Sequence, residues 1–438
     1  MAPNPTIMRA VEQLGYRVTV GDVATKAGLK LDLAQQGLLT LASDAGGHLQ
    51  VAETGDIVYL FPKNFRTILR NKFLQLRLKE WWEKIWKVLF YLIRISFGIV
   101  LLASIVLIFV AIALIVLAST ASSDNNDNSS SSRSGGGITF MPSFWFGPDL
   151  FWFFDPGYDN RYQRSRVSSP EGKRQMNFLE AIFSFIFGDG NPNADLEERR
   201  WQDIATVIRN NQGAVAAEQI APYLDKIGEG YSREYEDYML PVLSRFNGLP
   251  EVSPSGEIVY HFPDLQTTAR ERNSQPVPAY LRERSWRFSE ADTGQIMLAA
   301  GLGAVNIVGA LVLGSLLTGG TAAKLGGLVA FVKSIYWVLL GYGAAFLTIP
   351  LVRYFWIQWK NSQVEARNQQ RQERAVLLNQ ADAALQKKIA YARQFAAQHV
   401  IGREDLAYTT ETDLLDQESD RSAQIDEEWQ RRLNQSGS

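Results

Sequence analysis

Residues 55–62 read GDIVYLFP, and residues 256–263 read GEIVYHFP. Six of the eight positions are identical, each pair 201 positions apart. The match continues upstream, where Gly47 corresponds to Gly248 and Val51 to Val252. Further back, residues 18–24 (VTVGDVA) resemble residues 215–221 (VAAEQIA) at an offset of 197, so the second copy carries four extra residues. A string this similar, with a concordant flank, marks an internal duplication.

Each copy has the grammar of a winged helix. In the first, a helix begins over residues 8–14 and residues 16–19 are a short extended piece. Residues 20–27 form a second helix, with Thr19 as N-cap and Asp22 in its first turn, and Gly28 breaks it. Residues 31–41 are a third helix with Leu33, Leu38 and Leu39 expected toward the core. The wing is residues 49–52, a turn at Glu53-Thr54-Gly55-Asp56, then residues 57–61. In the second copy residues 219–224, 235–246, 251–253 and 258–262 take these parts. Alternation and aromatic packing explain Ile57, Val58, Tyr59 and Phe61 as core residues.

A winged helix raises the question of DNA. Duplex binding needs Lys and Arg against phosphates and polar side chains against base edges. Residues 10–62 hold three basic residues against six acidic ones, and residues 201–263 hold four against nine. The reading helix of the second copy begins Glu234-Tyr235-Glu236-Asp237. Acidic faces repel DNA, so protein binding is the preferred reading, with Tyr235, Glu236 and Asp237 as candidate protein-binding residues.

Between and after the two copies lies membrane-like sequence. Residues 95–118 are 24 positions without a charge, long enough to span a hydrocarbon core of roughly 30 Å. The preceding flank carries Trp81, Trp82, Trp86 and Tyr91 with Arg66, Arg70, Lys72, Arg77, Lys79, Lys84, Lys87 and Arg94, whereas residues 119–132 hold no basic residue. The positive-inside rule puts the N-terminus in the cytoplasm or stroma, with Arg94 near enough to the boundary to snorkel. Residues 294–317 and 334–357 form a hairpin whose basic outer flanks, including Arg287, Arg367, Arg371 and Arg374, place both ends on the N-terminal side. Within it Gly301, Gly303, Gly309 and Gly314 suit close helix packing, and Asn306 suits an interhelical hydrogen bond. The chain must return before the hairpin begins. Residues 138–154 (ITFMPSFWFGPDLFWFF) are a candidate re-entrant or interfacial segment, as are residues 178–187.

The expected organisation is a membrane α-helical protein with two winged-helix-like α+β modules and a long C-terminal helix. Residues 1–65 are module 1, 66–118 the basic flank and first span, and 119–137 a disordered Ser/Asn/Gly linker. Residues 138–190 are the aromatic segments, 195–265 module 2 and 290–357 the hairpin. Residues 358–400 form a long polar helix, and 401–438 an acidic tail. That helix continues from the last span for about 60 Å. Its apolar stripe of Leu378, Ala381, Leu385, Ile389, Ala392 and Ala396 suits a coiled-coil seam or, equally, a solvated tether.

No catalytic constellation emerges. The chain has no cysteine, which excludes disulfides, Cys-ligated zinc and clusters held by its own thiolates. His48, His261 and His399 are scattered without metal-ligand spacing, and no phosphate-loop, nucleophile-elbow or zinc-protease motif occurs. No cofactor is expected, and the absence of Asp and Glu from the spans counts against proton-coupled transport. Residues 1–5 lack the start of a cleavable signal peptide.

The strings GAVAAEQIAPYLD (213–225), PVLSRFNGLPEVSPSGEIVYHFP (241–263), FSFIFGDGNPN (183–193) and EDLAYTTETDLL (404–415) resemble those of an integral membrane protein family of cyanobacteria and plant chloroplasts. They cover about half the chain and are specific to the family rather than to a mechanism. Plant members are sometimes labelled iron–sulfur cluster biosynthesis proteins, but this chain supplies no ligand set for that role. The resemblance implies a plasma, thylakoid or plastid membrane. The expectation is a non-enzymatic membrane-anchored scaffold or assembly factor, its partners the lipid bilayer and other membrane proteins or itself as an oligomer. The alternatives are a membrane-anchored DNA-binding regulator, although nucleic acid is not the expected partner, and a pore or transporter subunit.

Overall fold

A computed structural model describes residues 3–72, 74–123, 176–228, 235–271 and 273–417, with scattered positions beyond. Most of the linker expected from residue 119, and the aromatic run 138–154, lie outside the described residues. The protein is mostly helical with small sheets and divides into two compact units. One comprises residues 1–82, 192–285 and 363–438, and the other residues 83–191 and 286–362.

The first unit opens with α1 (Pro5–Gln13), capped by Asn4 with proline at its first position, where a missing N–H is harmless. β1 (Arg17–Thr19) leads into α2 (Val20–Ala27), where Thr19 and Asp22 form a reciprocal capping box and Gly28, at φ 61°, closes the helix. α3 (Leu31–Ala45), β2 (His48–Ala52), β3 (Ile57–Leu60) and α4 (Phe65–Lys72) complete a first lobe. A second lobe contains α7 (Leu196–Asn210), β4 (Ala214–Val215), α8 (Ala217–Ile220), α9 (Leu240–Phe246), β5 (Leu249–Val252), β6 (Ile258–His261), α10 (Pro263–Gln266) and β7 (Thr267–Thr268). The numbering leaves α5 and α6 to the second unit.

The two lobes have the same strand order, β1-β3-β2 and β4-β6-β5, all antiparallel. Their registers correspond: His48 faces Leu60 as Leu249 faces His261, and Arg17 faces Leu60 as Ala214 faces His261. The hydrogen bonds between elements correspond too. Phe61 N–H bonds Tyr16 C=O at 2.9 Å, and Phe262 N–H bonds Gly213 C=O at 2.8 Å. Gly55 and Gly256 each turn the hairpin at φ 88° and 85°, a conformation that favours glycine.

Two sequence expectations fail here. Leu38 is fully buried, but Leu33 and Leu39 are 53% and 44% exposed. The buried stripe of α3 is Leu31, Ala34, Leu38, Leu41, Ala42 and Ala45, and the other two leucines fall out of phase with it. In the second lobe the expected helix from residue 235 is shortened. Tyr235 and Glu236 occupy a turn, Glu236 at φ 56°, and a 3-10 turn (Asp237–Met239) precedes α9. The Glu236 carboxylate is drawn inward onto Tyr260 and Lys388, which a helical start would not allow.

The lobes share one hydrophobic core, in which Val23, Leu38 and Tyr59 join Trp201, Ile204, Phe246 and Phe262. α2 packs on α7 and α10. Gly21 permits this approach, since a methyl group there would overlap the Asp264 carbonyl oxygen. Asp22, with no exposed surface, fastens the junction. It accepts from Thr19 N–H (3.0 Å), the Thr268 hydroxyl (3.0 Å) and Ala269 N–H (3.1 Å), and pairs with Arg209 at 2.8 Å.

The long helix also departs from expectation. α13 (Leu328–Asn379) ends early, and α14 (Ala383–Ala392) restarts with Asp382 accepting Leu385 N–H at 2.8 Å. The break turns the apolar stripe onto the second lobe, where α14 packs on β4 and β6. Arg371, 1% exposed, donates to Leu281 C=O and pairs with Glu283 at 2.9 Å and with Asp225. Arg367 grips the same Glu283 through two bonds of 2.7 and 2.6 Å. Burial would push the carboxyls of Glu283 and Asp225 up, but Arg367 and Arg371 hold Glu283, and Arg371 with Arg200 holds Asp225, below their ordinary values. The last two residues of the expected helix form β8 (His399–Val400), beside β7, and part of the acidic tail forms β9 (Leu406–Thr409), which extends the first lobe's sheet beyond β2.

The second unit is built on α5 (Leu74–Ser123), α6 (Phe178–Phe187), α11 (Thr293–Leu317), α12 (Gly320–Lys324) and α13. α5, α11 and α13 are long and apolar enough to cross a membrane. α6, with ten residues, is about 15 Å long and too short to do so. It buries Phe178, Ile182, Phe185 and Ile186 against Leu101, Ala299 and Phe346. Arg94 pairs with Asp189 at 2.6 Å.

Replacing Gly21 with alanine should force α2 away from α10 and lower stability by about 3 kcal/mol. A melting temperature in detergent unchanged from the parent would show that the lobes do not meet there.

Candidate protein-binding surfaces

The residues Tyr235, Glu236 and Asp237 fall beside a cleft of 670 Å³. Its walls combine Glu218, Glu236, Glu257 and Asp382 with Ile258, Leu377 and Leu385. Tyr235 is half exposed on it, and Leu377 is 62% exposed. Glu236 is not available to a partner in this arrangement. Lys388, 6% exposed, lies between Glu236 and Glu218, the latter at 2.9 Å, and the Tyr260 hydroxyl donates to Glu236 at 2.9 Å. Burial works against the Lys388 ammonium, but the two carboxylates outweigh it and raise its pKa. Burial, reinforced by Glu236, raises the Tyr260 phenol as well. The cluster therefore ties α14 to the second lobe. Asp237 opens the 3-10 turn next to it.

Sequence reading missed Lys388, Glu218 and Arg371. A signal for the lysine exists: Lys388 lies on the same helical face as Leu385 and Ala392, where a charge implies a buried partner. Arg371 likewise shares a 3–4 spacing with Val364, Asn368 and Ala375, all buried.

A second exposed surface lies on α3, where Leu33 and Leu39 stand beside Asp32, Gln35, Gln36, Thr40 and Ser43. The helix contains no Lys or Arg. On α9 the one basic residue, Arg245, donates to Gly28 C=O (2.5 Å) and lies over the Trp201 ring at 4.3 Å. The turns at the hairpin tips carry Asp56 and Glu257. Neither third helix presents a cation to a phosphate.

Of the packing residues, Gly303 meets the Phe346 ring, Gly309 faces Ile108 and Gly314 abuts the Tyr336 hydroxyl, whereas Gly301 has open space. Asn306 is fully buried and donates to Ser104 at 2.9 Å. His261 lies against the Phe395 ring and 3.5 Å from Glu251, and His48 contacts Thr410 C=O. Among the described residues no group of three or more His, Asp or Glu converges as metal ligands would.

The strings singled out in the sequence sit at joints of this architecture. Residues 213–225 end in Asp225 of the arginine network, and residues 183–193 contain Asp189. Residues 404–415 contain β9. An uncharacterised chloroplastic protein of Arabidopsis thaliana is 41% identical over 441 residues, covering 98% of this chain and 82% of that protein. The chain belongs to that family. No family model matches the sequence, and no solved structure matches the fold. That relative is chloroplastic, and its name states no activity.

Tyr59 and Tyr260 occupy corresponding strand positions, yet the Tyr59 hydroxyl is buried with no hydrogen-bond partner among the described residues, while Tyr260 bonds Glu236. Removing an unsatisfied hydroxyl relieves a desolvation penalty, whereas removing a donor to a carboxylate leaves the acceptor unpaired. Thermal melts should therefore show Tyr59→Phe neutral or stabilising by up to about 1 kcal/mol, and Tyr260→Phe destabilising by about 2 kcal/mol.

Proposed function

We propose that this protein is a non-enzymatic, membrane-anchored scaffold or assembly factor built on two copies of a winged-helix module. The duplication reading draws on the shared strand order and register at the same 201- and 197-residue offsets that relate the repeated strings. The observation that carries the functional reading is the chemistry of the third helices. α3 exposes two leucines and amides without a basic residue, and the single arginine of α9 is spent on Gly28 and Trp201. Such faces suit protein partners and oppose a phosphate backbone.

In this reading the protein is a multi-pass membrane protein of a plastid membrane, or of the plasma or thylakoid membrane of a cyanobacterium, with its N-terminus cytoplasmic or stromal. The unit holding both modules draws on three separate stretches of chain, two sharing one core and the third joined to them by Arg371 and β9, so in this reading all three occupy one side. In this reading α5, α11 and α13 supply three of the crossings. The chain has no cysteine, so single cysteines can be introduced directly. Cysteines at Thr54, Ser255 and Glu404 should react with an impermeant maleimide from one side of sealed vesicles, and those at Thr120 and Gly326 from the other. Labelling of Thr54 and Glu404 from opposite sides would overturn the topology.

Affinity isolation of the full chain in mild detergent should recover a defined set of membrane-complex subunits, reduced by Leu33→Glu or Leu39→Glu. Tight duplex DNA binding with a steep salt slope would replace the scaffold with the regulator reading. Solute or ion flux in liposomes, with no partner recovered, would replace it with a pore.

A further inference from the structure

The sheet edges of the two modules differ in a way that the repeat register makes legible. In the first module β9 lies antiparallel on β2, pairing Gln50 with Thr409, Val51 with Tyr408 and Ala52 with Leu406. The backbone groups that face β9 are those of Leu49, Val51 and Glu53, which alternate with the groups that face β3. Thr410 N–H bonds Leu49 C=O at 2.9 Å, Leu49 N–H bonds the Thr410 hydroxyl at 2.9 Å, and Glu53 N–H bonds Asp405 C=O at 2.9 Å. The His48 ring adds a contact to Thr410 C=O at 3.1 Å.

At the 201-residue offset, Leu49, Val51 and Glu53 correspond to Pro250, Val252 and Pro254. Two of the three outward donors are therefore absent from the second module. The third residue, Val252, has its carbonyl engaged by the Tyr391 hydroxyl at 3.2 Å. No strand covers β5 among the described residues, and Leu249 and Val252 on it are 50% and 62% exposed. Proline on an edge strand is a standard defence against strand addition. The hairpins are otherwise alike: Ala52 N–H bonds Asp56 C=O and Ser253 N–H bonds Glu257 C=O, both at 2.8 Å.

We infer that the β2 edge of the first module is a strand-docking surface, that residues 405–410 are its resident intramolecular occupant, and that an extended segment of the same pattern from a partner protein can take their place. That partner segment presents a hydroxyl residue opposite Leu49 and a branched aliphatic side chain opposite Ala52, where Leu406 joins Val58, Ala269 and Ile401. The resident is lightly held. Leu406 is half-buried and Tyr408 is 41% exposed, so backbone hydrogen bonds supply most of the attachment. Elements with little buried apolar surface open locally at low free energy, and main-chain pairing is how sheet edges recognise extended partners. The inference rests on the sheet register and stands whether or not the exposed leucines of α3 bind anything.

The test uses the full chain in detergent with Tyr408→Pro and Thr410→Pro, which empties the edge, and a fluorescent peptide of residues 402–414 as the probe. One peptide should bind per opened chain, and the parent chain should bind at least about tenfold more weakly because its own strand competes at high effective concentration. Adding Leu49→Pro and Glu53→Pro copies the second module's prolines and should abolish binding. Glu53→Pro alone, at an exposed residue, should weaken it at least about tenfold and serves if the double substitution does not fold. The reverse exchange, Pro250→Leu with Pro254→Glu, should raise the stoichiometry from one peptide to two. Failure of the peptide to bind the opened chain, or binding that survives both proline substitutions, overturns the inference. A lost pull-down with peptide binding retained would instead count against the scaffold reading alone.

Discussion

The architecture depends on a carboxylate with no access to water. Asp22 begins α2 in the first lobe, and an isolated buried carboxylate would be strongly destabilising. It is tolerated because Thr19 of its own lobe and Thr268, Ala269 and Arg209 of the other lobe supply donors and a counter-charge. Separating the lobes would leave that charge unpaired in an apolar junction. The two halves therefore behave as one folded body, although the membrane-like sequence of the second unit intervenes between them. Long insertions of this kind are thermodynamically cheap, since loop-closure entropy grows only with the logarithm of length.

The same logic docks the polar half of α13. A helix rich in Gln, Arg and Glu has little apolar surface to bury, and here Arg367, Arg371 and Arg374 reach the carbonyls and carboxylates of residues 221–225 and 281–283. Asn368 reads the backbone of Glu283 from both sides, at 2.9 Å each. Buried ion pairs of this kind add little net stability over apolar contacts, but breaking one partner is severe, so they specify register. Lys388 repeats the device one helix later.

Where the two lobes correspond in backbone they differ in chemistry. One tyrosine hydroxyl is orphaned and its counterpart is held by a carboxylate. One third helix is fifteen residues long with exposed leucines, while its counterpart has seven and is preceded by a turn. One sheet edge accepts a strand and the other carries prolines. The correspondence lies in the core positions that pack, and the differences lie at the sheet edges and the exposed helix faces.

Local patterning in the sequence was enough for the elements whose causes are local. The Thr19/Asp22 capping box, the Gly28 terminator, the glycine turns at Gly55 and Gly256, and the uncharged runs within α5, α11 and α13 all follow from short-range sterics or from continuous hydrophobicity. The likeness of the two hairpins was legible because the strings that form them share most of their residues. Long-range pairing was not legible. Leu33 and Leu39 looked like core because leucine in a helix usually is, and only the phase set by the shared core turned them outward. Arg94, Arg371 and Lys388 read as flanking or solvated charges because a sequence shows a charge without its partner. Residues 404–409 read as part of an acidic tail because a strand with few apolar residues gains its order from hydrogen bonds to a neighbour. Burial and pairing are properties of the assembled fold, and tertiary contact alone decided them.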